Sequence, residues 1–285
     1  MNRQRFEVWT GAILGMVCAL LLSGYAHGSD FHGKVSEEFH HTYPLSAGGR
    51  VDLDNINGDV KITAWDRDEV KVDAVKYAHS KDTLADVDID VNADSSSVSI
   101  QTRYRSHDHY FGSGDHDSAS VDYTLMVPRN ARLDEIKLVN GPLEIHGVAG
   151  EVHASTVNGQ LLADGLQGRV EISTVNGHSE VRFERVSDSI DLSSVNGSVK
   201  LVIPSDTKAR LDVSTVSGSI DNDFGFRANR HSWVGHSMAG DLGGGGPDIK
   251  LSNVNGHIEL RHADDGKPLS PVNDRSRSND DGDEI

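Results

Sequence analysis

The chain has 285 residues, 29 of them glycine, with 36% hydrophobic content and a formal charge of -17. That length allows one or two domains, and the glycine-rich, moderately apolar composition favours many short strands over long helices. The acidic mean field repels nucleic acid and anionic lipid, which excludes both as electrostatic partners and leaves neutral, cationic or metal-bridged ones.

Residues 1–28 read as an export signal. Arg3 and Arg5 make a basic start, an apolar run extends from Ala12 to Leu22, and the small residues Gly24, Ala26 and Gly28 follow. Eleven apolar residues are short for a membrane span of ~20, so cleavage is expected rather than a retained anchor. Losing Arg3, Arg5 and Glu7 changes the charge from -17 to -18, and Cys18, the single cysteine, leaves too. Met16 and Val17 before it do not resemble the small-residue context of a lipoprotein cysteine. The mature fold therefore has no disulfide.

After a lead-in over 29–50, residues 51–135 hold "VDLDNINGDVKI" from Val51 and then a stretch that does not repeat. In it "DEVKVDAVKYA", "ADVDIDVNADSSSVSIQTRY" and "ASVDYTLMVPRNARL" read as strands of an antiparallel subdomain. Such a subdomain would cover the open edge of a stack. The loop "RSHDHYFGSGDHDS" places His107, His109 and His116 close together, a spacing suited to Zn²⁺ or Cu²⁺, although a solvated polar loop is the preferred reading.

From residue 136 to 261 the chain repeats. The copies are "IKLVNGPLEI", "VHASTVNGQLLA", "VEISTVNGHSEV", "IDLSSVNGSVKL", "LDVSTVSGSIDN" and "IKLSNVNGHIEL". Their glycines, Gly141, Gly159, Gly177, Gly197, Gly218 and Gly256, are separated by 18, 18, 20, 21 and 38 residues, and Gly58 belongs to the same set. A period near twenty signals stacked units that bury one another's faces, and the last gap fits two turns. Within each copy apolar and polar residues alternate, as at Val170 and Ile172 or Val181 and Phe183, which is the pattern of half-buried strands. Two positions before each glycine stands a β-branched residue, Ile56, Val139, Val157, Val175, Val195, Val216 or Val254, expected to be core. Asn and Gly mark the corner because they tolerate left-handed backbone.

These features predict an all-β fold: a parallel β-solenoid of about seven to eight rungs of 18–21 residues with the antiparallel subdomain near its N-terminal end. The alternative is an antiparallel sandwich or meander, since Asn-Gly is also a hairpin signal. A two-residue turn at Asn176 and Gly177 would set Val175 opposite His178, mixing core and solvent residues on one face. Phe224 to Pro247 reads as a loop excursion with one irregular rung, and residues 262–285 as a disordered acidic tail.

The pattern "GDVKITAWDRDEVKV", the strand "LMVPRNARL" and the "VNG" ladder, together covering roughly Val51 to Leu260, resemble the exported bacterial putative-adhesin family, a β-strand-repeat domain of poorly defined biochemistry. The resemblance implies a β-solenoid at the cell envelope, with some relatives linked to envelope-stress sensing. It supplies no catalytic residues.

The residues themselves offer little chemistry. Outward acids occur at Glu144, Glu171, Glu180, Asp191 and Asp212, where alternation alone places charge, and there is no G-x-S-x-G elbow. Six residues before successive glycines lie His153, Glu171, Asp191 and Asp212. On consecutive rungs about 4.8 Å apart the three carboxylates would either splay into water, helped by Arg169 and Lys250, or hold a weak Ca²⁺. No other cofactor is expected. The reading is of an exported non-enzymatic protein at the periplasm or cell surface, adhesin-like or scaffolding, with an envelope glycan or protein as partner and no transmembrane span after cleavage. A polysaccharide-processing enzyme on the same scaffold is the alternative.

Overall fold

The computed structural model describes residues 35–105, 119–230 and 235–275. Strands dominate these residues, and the single short helix among them, Lys81–Ala85, is capped by the Ser80 hydroxyl, which accepts from the Thr83 amide at 3.0 Å.

Each repeat is a strand, a glycine corner and a second strand. Arg50–Asn57 and Val60–Trp65 flank Gly58; Arg132–Asn140 and Leu143–His146 flank Gly141; Val152–Asn158 and Leu161–Leu166 flank Gly159. Val170–Asn176 and Ser179–Phe183 flank Gly177, and Ile190–Asn196 and Val199–Ile203 flank Gly197. Ala209–Asn222 and Asp248–His262 run unbroken through Gly218 and Gly256. Strands before the corner pair in parallel as one ladder and strands after it as another, with copies in register, for example Val170 with Ile190 and Ser179 with Val199. Inward side chains of both ladders make the core, among them Ile172, Leu192, Val181 and Leu201, each at most 1% exposed.

The order of rungs in space differs from the order in sequence at both ends. Ser97–Tyr104 and Ser120–Pro128 pair in parallel with the two strands of the Gly58 rung, so part of the expected antiparallel subdomain is itself a rung, outside the one that precedes it in the chain. Antiparallel strands then close this end: Val87–Ala93 on Ser97–Tyr104, Glu69–Ala78 on Ser120–Pro128, and Val35–Pro44 on Glu69–Ala78. At the other end the Gly256 rung inserts between those of Gly197 and Gly218. The expected irregular rung in the long gap is instead His236–Leu242, which folds back antiparallel on Ala209–Thr215 of the outermost rung. Val272–Asp274 pairs with His236–Leu242 in turn, so the first part of the expected disordered tail is a strand. The fold is thus a mixed sheet with parallel ladders between antiparallel ends. Antiparallel return strands occupy the edge amides and carbonyls that a bare parallel stack would leave open.

The β-branched column is not core. Val175 is 39% and Val195 41% exposed, whereas Thr174 before Val175 is 3% exposed. The period of two carries inward positions from Val170 through Ile172 to Thr174, so the next residue must point out however apolar it is. The premise that set Val175 against a hairpin therefore fails, although the copies do pair in parallel. Corner glycines take positive φ as expected, 120° at Gly58, 137° at Gly141 and 150° at Gly197, and close stacking adds a second cause. A Cβ on Gly177 would collide with the carbonyl oxygen of Gly159, and one on Gly197 with that of Gly177, so close stacking of backbones excludes any side chain.

Candidate interaction face

Alternation projects three columns outward from the ladder that precedes the corner. Nearest the corner lie Val157, Val175, Val195, Val254 and Val216, all exposed. Next come Ser155, Ser173, Ser193, Ser252 and Ser214, matched rung to rung. The third column is His153, Glu171, Asp191, Lys250 and Asp212. Beside the valines an asparagine ladder runs along the corner. The Asn140 amide donates to Asn57 Oδ1, Asn158 to Asn140, Asn176 to Asn158, Asn196 to Asn176 and Asn255 to Asn196, all at 2.8–3.0 Å. Each amide fixes its neighbour, so the edge of the face is regular from rung to rung.

The third column differs from its sequence expectation. Glu171 and Asp191 do stand side by side, but Lys250 lies between Asp191 and Asp212, because the Gly256 rung separates theirs. Its ammonium is 3.7 Å from Asp191, which separates the carboxylates and offsets their repulsion. Among the described residues no group of three or more His, Cys, Asp or Glu side chains is placed to hold a metal ion. His107, His109 and His116 lie outside the described residues.

Where the column begins, a register shift leaves Asp134 as an extra residue opposite His153 and opens a depression of about 160 Å³ lined by Asp134, Lys137, His153 and Glu171. His153 Nε2 is 3.4 Å from Glu151 and 3.6 Å from Glu171, and its Nδ1 is 3.8 Å from Asp134. On the neighbouring rung burial raises the Asp52 carboxyl above the usual range, with Asp134 and Glu135 adding to the rise and Arg50, 3.1 Å away, opposing it. Elsewhere Glu144 and Glu180 are paired. Lys61 at 3.1 Å, together with His146, holds Glu144 below its ordinary value, the opposite of what a proton-donating carboxylic acid needs. Glu180 meets Lys200 at 3.1 Å.

Sequence reasoning placed only His153, Glu171, Asp191 and Asp212 of this face on the outside and assigned the valines to the core. The signal for the serine–valine pair was present in "STVNG", since Ser173 and Val175 are two apart and must share a side. The place of Lys250 had no local signal.

The geometry defines an all-β repeat protein with a periodic outer face. Residues 54–261 match the family described as Toastrack DUF4097, and the chain belongs to that family. No curated protein matches it. The solved structures similar to it include a "putative cell adhesion protein" from Clostridium sporogenes, at 9% identity and a TM-score of 0.46, covering 80% of this chain and 100% of that one. A "putative adhesin" from Bacteroides fragilis is similar at 12% identity and a TM-score of 0.35, covering 80% of this chain and 97% of that one.

Proposed function

We propose that the chain is an exported, non-enzymatic β-solenoid whose serine–valine face is an adhesin-like interaction surface at the bacterial cell envelope. The observation that carries this reading is the repetition of one hydroxyl and one exposed β-branched side chain on five adjacent rungs, in register. Neighbouring rungs are about 4.8 Å apart, so the face offers rows of methyls beside rows of hydroxyls at a fixed spacing. An extended neutral glycan, with apolar ring faces and hydroxyl edges, matches such rows. The acidic charge disfavours anionic polymers. The amino-terminal basic and apolar segment supports export.

The test is retention of the mature protein on peptidoglycan and on isolated envelope glycans, with soluble sugar products followed at the same time. Retention without product, abolished in a Val175→Glu, Val195→Glu double variant that still melts cooperatively, is the expected result. Products released without stable retention would overturn the reading in favour of a polysaccharide-processing enzyme.

A further inference from the structure

Just inside the exposed valines runs a second column, one residue nearer the amino terminus in each copy. It contains Thr156, Thr174, Ser194, Asn253 and Thr215, each at most 4% exposed. Strand pairing stacks them in that order: Thr156 on Thr174, Thr174 on Ser194, Ser194 on Asn253, and Asn253 on Thr215. Six buried side-chain polar atoms have no hydrogen-bond partner among the described residues, and five of them are the oxygens of this column. A buried polar group without a partner is destabilising, and five in one line would weigh heavily on a marginally stable fold.

An apolar alternative is sterically available. Leu138 occupies the same column and is 2% exposed. Where the column continues past it, the polar groups are satisfied by protein: Thr102 Oγ1 donates to Asn55 Oδ1 at 2.9 Å, and the Asn55 amide donates to the Val121 carbonyl at 2.9 Å. The five orphaned oxygens instead belong to side chains paired rung to rung. Oxygens about 4.8 Å apart are too distant for a direct bond. A single water about 2.8 Å from each would bridge them at an angle near 120°, within its preferred geometry. The hydroxyls can relay direction, each donating to one water and accepting from the next. Asn253 fits as the point where two such runs meet. Its amide nitrogen is committed to the Gly197 carbonyl at 2.7 Å, which leaves Oδ1 as a pure acceptor with two lone pairs.

We propose that this corner binds a file of ordered water molecules, one between each adjacent pair from Thr156 to Thr215, buried in the core behind the valine face. Polar cavities hold structural water, while apolar ones of the same size stay dry. The file makes the column a wet seam in an otherwise apolar interior. It goes beyond the proposed function and does not depend on it.

A crystal structure of the protein at a resolution that shows ordered solvent tests this directly. Water should lie between Thr156 and Thr174 and between Thr174 and Ser194. The near-isosteric Thr174→Val variant should lose both and melt about 2–4 °C lower, the shift that ~1 kcal/mol produces in a domain of this size. Thr174→Ser, which keeps the hydroxyl, should retain both waters if the valine variant does not fold. Rungs in dry contact at this corner in the unmodified protein, or a Thr174→Val variant that melts higher, would overturn the proposal.

Discussion

Thr174 and Val175 are chain neighbours on one strand, and each sits where its side chain alone would not place it. The hydroxyl is buried and the isopropyl group is 39% exposed. The same inversion recurs at Thr156 and Val157, Ser194 and Val195, Asn253 and Val254, and Thr215 and Val216. Period two is set by the backbone and cannot slip for one residue without turning every other side chain on the strand to the wrong face. Several buried positions per strand, such as Val170 and Ile172, outvote the single valine at the corner. The pair shows that in a repeat strand the average of the pattern decides orientation, not the apolarity of any one position.

Aspartate substitutions on the two sides should separate most widely. Leu192→Asp puts an unpaired carboxyl at a site with 0% exposure and should destabilise by at least about 4 kcal/mol, enough to abolish cooperative melting. Val195→Asp, three residues away on the outward side, should cost no more than about 0.5 kcal/mol. Thermal melts of the two variants check the contrast, and comparable losses would mean that the valine column is interior after all.

A smaller effect is expected at the edge of the face. Asn176→Ala removes the bond donated to Asn158 and the one accepted from Asn196, both at 3.0 Å, and leaves two exposed amides half-paired. Exposure lets water replace much of what is lost, so about 1 kcal/mol is expected, seen as a Tm lower by about 2–4 °C. The same change at Ser217, where the ladder has no asparagine, should leave Tm unaltered.

The smallest effect is a pH dependence at the antiparallel end. Hydrogen bonds that the His40 imidazole donates to Asp73 and then to Glu38 raise it above its ordinary value, against a small desolvation. A raised folded-state value means that this contribution is fully present below about pH 6.5 and is lost as pH rises through the folded value. Tm measured from pH 6 to 8 should therefore carry a shallow decline that His40→Gln flattens. An unchanged slope in that variant would assign the decline to other groups.

The sequence alone determined the class of fold, because alternation and glycine spacing are local properties that survive in any one copy. Glu69–Ala78, Ser97–Tyr104 and Ser120–Pro128 fall within stretches where apolar and polar residues alternate, and every corner glycine is where the repeat places it. It also named the outward residues Glu171, Asp191 and Asp212. Only the tertiary structure decided which copies are neighbours. Copies with nearly the same strand and corner present nearly the same pairing edge, so sequence order does not encode spatial order. Long-range closure of the two ends does: the Gly218 rung takes the antiparallel strand His236–Leu242 on its outer edge and leaves its inner edge to Gly256. That choice puts Lys250 between Asp191 and Asp212, so the expected run of three carboxylates is broken after Glu171 and Asp191.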